Sequence, residues 1–577
     1  MAEMRNSKLL QASRGLPDIP FFRRLLFLAH EGDHTVINDI ESDIQASPSR
    51  LLHDTLLYRD KLRELIGPAA LDKQGIVRKN HFFISILAPG TYEFMVALCA
   101  IIAVGAAAIP LATTLLPEEV LYFHEKFDST LILTGSGESE LNHTIREYLK
   151  GTDVGAKTVP IQLPSYHTEP VHLFINQNVS FNPERPALAL FTSGTTGPPK
   201  GLVHSIRYFN AFVRDLGSPK DVLLFRRPIH NGVGVTDVLR YMLRGNRVDM
   251  MDCDSSPERV WKYLQQEEVT ILTGSPNFWV QIKEYFETEI RRGPPETLRK
   301  CEKALRALHT TRSSGTLTMP STKQFYRKQM GGRAFVIRFG TTESGPIGLE
   351  TSLDDQDDHS HIIGKPLPGV EAKLAQGDHS ELLIRTPTMF IGYWNDEKAT
   401  HAAFDDDGFY RTGDQAYMQG DNFVIEGRTK EDFINCDSYK VPIFEVETAI
   451  SGLPYISESH VLPVTDSRLG HRVAAIVAYR TMPDIAPNKT LESLRKDLSG
   501  LLPTSKLPTM LRVLGDGDPV PRNSVGKVVK RKLREAYFPE SDDPLSDKMS
   551  PEVQICDFYS DAVARPPKCW DWAGLNC

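Results

Sequence analysis

The chain has 577 residues, 41% of them hydrophobic and 24% charged, with 66 basic against 74 acidic side chains. That length exceeds a single ordinary core, so two or more domains are expected. A net charge of −8 lacks the basic balance that nucleic acid or an anionic membrane would select, and the seven cysteines, odd in number and without metal-type spacing, point to free thiols in a reducing compartment.

The N-terminus carries Arg5, Lys8, Arg14, Arg23 and Arg24 but no long apolar core, which excludes a secretory signal and leaves a transit peptide open. The sixteen-residue run Phe94–Ile109 is shorter than the roughly 20 residues a bilayer needs. It reads as a buried helix leading into Ala108-Ile-Pro-Leu111. From about 80 to 280, strand-like runs alternate with helical patterns: Phe82–Leu87, Thr130–Thr134, Ala187–Thr192, Val222–Phe225 and Thr270–Thr273. The alternation predicts an α/β fold of parallel βαβ units. After 360 the strands shorten (Glu371–Leu374, Ser380–Arg385), which predicts a small β-rich subdomain. From Arg428 a separate α+β unit is expected, with strands over His460–Val464 and Arg472–Tyr479 and a helix over Thr490–Leu502. The domains are therefore 1–427 and 428–540, with a boundary at 427–430. The acidic tail 541–577 is expected to be disordered or loosely docked. The last residues, Leu575-Asn-Cys577, are not the peroxisomal address Ser-Lys-Leu. The chain reads as cytoplasmic, with mitochondrion and peroxisome left open.

The densest chemistry lies in Phe191-Thr-Ser-Gly-Thr-Thr-Gly-Pro-Pro-Lys-Gly201. Glycines allow tight turns and close approach of the backbone to a ligand. Free N–H groups, hydroxyls and a lysine then form a cradle for phosphate oxygens. The apolar run Ala187–Phe191 delivers this loop as a buried strand. It is not the kinase-type phosphate loop, because Gly194 and Gly197 are misplaced and Lys200 is followed by Gly201.

Four more motifs follow in order: Phe339-Gly-Thr-Thr-Glu-Ser344, Tyr410-Arg-Thr-Gly-Asp414, Gly427-Arg428 with Tyr439-Lys-Val and Glu445-Val-Glu447, and Pro521-Arg-Asn-Ser-Val-Gly-Lys527. Together with the loop they resemble the acyl-adenylate-forming superfamily of acyl-CoA synthetases, adenylation domains and luciferases. The likeness runs from about residue 80 to 535 and is nearest to the malonyl-CoA-synthetase-like branch. It implies a large adenylation domain of two αβ sheets and a small β-rich part, followed by a small mobile α+β lid. The implied reaction uses ATP, Mg2+ and CoA: a carboxylic acid becomes acyl-AMP with release of pyrophosphate, and the acyl group then passes to the CoA thiol.

The resemblance also implies roles. Thr192, Ser193, Gly194, Thr195, Thr196, Gly197 and Lys200 would hold the β- and γ-phosphates. Thr342 and Glu343 would meet the α-phosphate and Mg2+, since a hard cation takes oxygen ligands. Asp414 and Arg428 would bind the ribose. Phe339, Gly340 and Thr341, with Gly315, Thr316 and Leu317, would frame adenine. Lys527 would reach the bond-forming oxygens, and Lys430 lies near the hinge. His230, Asn277, His309 and Arg338 would line the acyl pocket, with Arg338 a candidate reader of a second carboxylate. So polar a lining favours a short or polar acid. The cluster Asp357-Asp358-His359-Ser-His361 sits where the family has no metal.

One departure stands out. Asn435-Cys-Asp-Ser438 replaces the glycines that many acyl-CoA synthetases carry before the residues matching Tyr439-Lys440. That opens an alternative to CoA transfer, the loading of an acyl-carrier-protein thiol or an amine, as in secondary metabolism; a catalytically silent nucleotide binder is a third reading, from a different class.

Overall fold

The computed structural model describes residues 15–129, 131–136, 140–150, 157–163, 172–192, 200–213, 216–315, 318–352, 361–428, 432–436, 439–466, 470–480, 490–515, 517–522, 528–539 and 552–556. The first sheet contains Phe83–Leu87 (β1), Ala107–Leu111 (β2), Leu131–Thr134 (β3), Lys157–Pro160 (β4), Pro186–Thr192 (β5) and Lys200–Ser205 (β6). Its order is β6-β5-β2-β1-β3-β4, and the short strand Gly392–Tyr393 closes the β6 edge. The strands from β5 to β4 run parallel, whereas β6 returns antiparallel to β5. The apolar run before β2 divides at Val104–Gly105. The helix Tyr92–Ala103 (α1) precedes the break, and all but one of its residues are buried, since it is apolar on every face.

The second sheet holds Val222–Phe225 (β7), Arg247–Met250 (β8), Ile271–Gly274 (β9), Thr310–Ser314 (β10) and Val336–Phe339 (β11) in parallel, in the order β11-β10-β9-β7-β8. Two crossovers matter for function. Gly232–Met242 (α2) follows β7. Pro276–Tyr285 (α3) follows β9, starting at Ser275, whose hydroxyl accepts from Phe278 N with proline at the first helical position.

The expected β-rich subdomain is present but shares this second sheet. Leu349–Glu350 (β12) and Ile362–Pro366 (β13) extend it antiparallel from β11. Glu371–Leu374 (β14), Ser380–Arg385 (β15), Tyr410–Gln419 (β16) and Asn422–Arg428 (β17) complete it in the order β14-β15-β16-β17-β13. Antiparallel hairpins can extend a parallel sheet without a new layer because their ladders need only one free edge.

The lid sheet comprises Phe433–Cys436 (β18), Tyr439–Pro442 (β19), Ile456–Asp466 (β20), Gly470–Tyr479 (β21), Met510–Val513 (β22) and Val553–Ile555 (β23). Its order is β19-β18-β21-β22-β23, with β20 also on β21. The helix Ile443–Ser451 (α4) follows β19, and His361 Nε2 approaches its Thr448 Oγ1 at 3.3 Å. The expected helix over 490–502 ends at Leu498, giving Leu491–Leu498 (α5).

Strand β23 lies inside the tail read as disordered or loosely docked, and docks there. It pairs antiparallel with β22, with Val553 buried. Gln554 Oε1 accepts from Leu491 N at the start of α5, and Arg472 Nη1 donates to the Cys556 carbonyl at 3.0 Å. Three residues recruit the tail because they satisfy one sheet edge and one helix end together. Truncation after Pro551 is expected to lower lid stability by about 2–3 kcal/mol, the order of one buried aliphatic side chain, read by urea denaturation of full-length and truncated protein.

Candidate active site

The β5–β6 hairpin brings the two ends of the phosphate loop together. Thr192 pairs in register with Lys200, and Phe191 with Gly201. Gly201 has a steric reason to be glycine, because a Cβ there would sit 2.6 Å from the Phe127 ring. Phe191 packs against Phe123 and Phe127, which fixes the hairpin on the first sheet. Residues 193–199, and with them Ser193, Gly194, Thr195, Thr196 and Gly197, lie outside the described residues. So do Thr316, Leu317, Lys430 and Lys527.

The segment after β11 forms a tightly bonded turn. Thr341 N donates to Ser344 Oγ, and Ser344 N donates to Thr341 Oγ1. The Ser344 carbonyl accepts from the hydroxyls of Thr386 and Thr388. Gly345 adopts φ +78°, and a Cβ there would meet the Thr388 carbonyl oxygen at 2.5 Å. The buried His204 Nε2 donates to the Thr342 carbonyl at 2.8 Å. The motif is thus bolted to β6 on one side and to residues 386–388 on the other, so Thr342 and Glu343 are presented in one position.

Glu343 is buried, and its Oε1 accepts from Tyr393 Oη at 2.9 Å. Lys200 Nζ lies 5.1 Å from the centroid of the same tyrosine ring. Tyr393 therefore links the lysine at the end of the phosphate loop to the acid of the second motif. Sequence reasoning missed it, although an aromatic pair, Tyr393-Trp394, directly after Gly392 was a visible signal. Burial beside the Glu343 carboxylate raises the Tyr393 phenol well above its ordinary pKa, so it stays a donor.

Asp414 is buried on β16, and its backbone pairs in register with that of Arg428 on β17. The two residues assigned to one ribose are thus ladder neighbours. Phe339 ends β11, and Gly315 follows β10, so both stand at the carboxyl ends of parallel strands, where open α/β sheets bind ligands. Asn277 lies exposed in the first turn of α3, also at that end.

His230 precedes α2. Among the described residues, its buried Nε2 has no hydrogen-bond partner. His309 is the assigned pocket residue that the structure places elsewhere. It stands exposed before β10, at the amino end of the strands, with Nε2 2.9 Å from Asp221 Oδ1. Its place is wrong for a pocket residue because the five-residue strand β10 separates it from the ligand end of the sheet. Arg338 is ion-paired: its Nε and Nη2 donate to Glu350 Oε2 at 2.9 and 2.5 Å.

Burial pushes both His204 and His230 down to about 4, so both are neutral at pH 7. Each folded value lies below the ordinary 6.5, and the unfolded chain binds the extra protons. The stability held by the neutral rings is complete above pH 6.5 and declines as the pH falls toward 4. Melting temperature is therefore expected to drop between pH 7 and 5. His204→Gln, which can still donate to the Thr342 carbonyl, should flatten that slope, as read by calorimetry at both pH values.

At the acceptor side, β18 and β19 form a hairpin in which Cys436 pairs with Tyr439. Only Asp437 and Ser438 stand between them, and both lie outside the described residues. Among the described residues, no helix is long and apolar enough to cross a membrane.

The profile of the family described as AMP-binding enzyme matches residues 69–394. A relative, the acyl-CoA ligase oryP of Aspergillus oryzae (strain ATCC 42149 / RIB 40), is 35% identical over 530 residues, spanning 91% of this chain and 93% of its own. The malonate–CoA ligase of Arabidopsis thaliana is 28% identical over 78% of each chain. Among solved structures, ATP-bound MatB from Rhodopseudomonas palustris superposes with a TM-score of 0.73 at 22% identity, over 90% of this chain and 98% of that one. The chain belongs to the AMP-binding enzyme family, as an AMP-forming ligase that activates a carboxylic acid with ATP and transfers the acyl group to CoA.

Proposed function

We propose that this ligase acts on a short, polar carboxylic acid and that the residues assembled above divide the work as follows. The substrate carboxylate oxygen attacks the α-phosphorus of ATP, and the bond to pyrophosphate breaks. The thiol sulfur of CoA then attacks the acyl carbon, and AMP leaves. Charge on the phosphates is the main barrier to the first step, so preorganised cations and donors supply most of the catalysis.

Lys200 and the hydroxyl-rich loop neutralise the β- and γ-phosphates. Thr342 and Glu343 face the α-phosphate. Asp414 accepts from the ribose hydroxyls, and Arg428 adds a donor to the same sugar. Phe339 stacks on adenine, and Lys527 brings positive charge to the reacting oxygens. Glu343 suits Mg2+: its carboxylate is buried, and one oxygen is oriented by Tyr393, whose ring Lys200 Nζ also approaches. The cation, when bound, shields phosphate charge.

The lid turns about residues 428–432, first presenting Lys527 and then opening the thiol's path. The observation that carries this reading is the Lys200–Tyr393–Glu343 chain beside the anchored motif turn. The test is pyrophosphate release with ATP–Mg2+ and a panel of acids, with and without CoA, beside Lys527→Ala. Release that depends on acid and CoA and falls at least 100-fold in the variant is expected. Release indifferent to CoA would overturn the acceptor assignment.

A further inference from the structure

Behind the motif turn lies a cluster of charge that the adenylation chemistry does not use. Arg227 reaches in from the loop after β7, Asp237 and Arg240 from α2, Arg312 from β10, Arg338 from β11 and Glu350 from β12. Arg227 Nε lies 3.1 Å from Asp237 Oδ2, and the Thr273 hydroxyl donates to the same oxygen at 2.9 Å. Arg338 and Arg312 both donate to Glu350 Oε2, at 2.5 and 3.3 Å. Arg338 Nη1 also stands 4.0 Å from Asp237 Oδ1.

Three of the four guanidiniums thus share two carboxylates. Arg240 is the one left over. Its Nη2 donates to the Pro346 carbonyl at 2.8 Å. Among the described residues, its buried Nε has no hydrogen-bond partner, and no carboxylate lies within ion-pair distance. The C-terminal carbonyls of α2 supply only about half a charge in compensation. Buried cations left unmatched are costly and call for an anion.

The cluster is placed to meet the acyl group. Pro346 follows the turn that holds Thr342 and Glu343, and a Cβ on Gly232, at the start of α2, would lie 3.6 Å from the Thr342 methyl. The same helix therefore passes from the reaction centre to Arg240 in about two turns. Arg227, Arg240, Arg312 and Arg338 all keep some solvent exposure, as residues lining a crevice do.

We propose that this crevice is the far end of the acyl pocket and that the acid it takes carries two further carboxylates, a tricarboxylate, with Arg240 as the residue that reads the second of them. Among the described residues the cluster holds four guanidiniums and two carboxylates, and this excess of two positive charges sets the number. Glu350 and Asp237 already occupy Arg338 and Arg227, so the anion reader is Arg240 rather than Arg338. The proposal rests on the acid–CoA ligase reading and specifies its substrate.

The test uses one carbon skeleton with one, two or three carboxylates: butanoate, glutarate and propane-1,2,3-tricarboxylate. Pyrophosphate release by the full-length enzyme should rise at least tenfold in kcat/KM with each added carboxylate. Arg240→Met should lower kcat/KM for the tricarboxylate about 100-fold through KM and leave butanoate within threefold. Arg240→Lys should restore part of the loss. Preference for butanoate overturns the inference and leaves the ligase reading intact. If no acid releases pyrophosphate, calorimetric titration decides. Tricarboxylate binding to wild type but not to Arg240→Met keeps the anion site and sinks the ligase reading. No binding to either protein overturns the site.

Discussion

Replacing Glu343 by glutamine is expected to lower the rate of acyl-AMP formation by about 10³-fold, with little loss of stability. The magnitude is that of removing one preorganised charge from a site where phosphate charge must be neutralised. Glutamine keeps the shape and can still accept from Tyr393 Oη, so the turn anchored by His204, Thr386 and Thr388 should persist. Pyrophosphate release across an Mg2+ titration gives the first readout and the melting temperature the second. A rate loss below tenfold, or a loss matched by unfolding, would make Glu343 a packing residue of the motif turn.

The second large effect is on stability. Glu350→Ala is expected to cost about 3–5 kcal/mol, because it strands Arg338 and Arg312 with no carboxylate between them. Burial alone would raise the Glu350 carboxyl, but Arg338 and Arg312 overcome it and hold the group down to about 2. Its folded value lies below the ordinary 4.5. The contribution is therefore complete above pH 4.5 and is lost as the pH falls toward 2. Urea denaturation at pH 7 and pH 4 checks both statements. Wild type should lose the stability that the variant already lacks, so the gap between them narrows on acidification. A gap that stays constant with pH would show that the pair contributes by packing rather than by charge.

The motifs proposed for the nucleotide site were legible in the sequence. The phosphate loop, the Phe339–Ser344 turn and the Tyr410–Asp414 segment each carry a local signature that the backbone must satisfy where it stands. Five strands of the two parallel sheets, β1, β3, β5, β7 and β9, could be read from runs of apolar residues. The sharing of the second sheet by the β-rich part could not, because a ladder partner is chosen by a free edge and not by the strand's own composition. The tail illustrates the same limit. Its composition is polar, yet Val553, Gln554 and Cys556 find partners on β22, α5 and Arg472 that lie 41 to 84 positions away in the chain.

The acyl pocket was the least legible region. His309 was assigned to it by resemblance, but the direction of β10 carries it to the opposite end of the sheet. Arg240 drew no notice, because one arginine on a helix is ordinarily a solvated charge. Its significance comes from Arg227, Arg312 and Arg338, delivered beside it by three other elements. By itself the sequence determined the reaction class, since phosphate-binding loops and motif turns are short-range structures whose chemistry lies within a few consecutive residues. Only the tertiary structure decided what surrounds Tyr393, where the tail docks and how many positive charges meet behind the motif turn. Electrostatic balance and ladder pairing are sums over residues far apart in the chain, and no local stretch contains them.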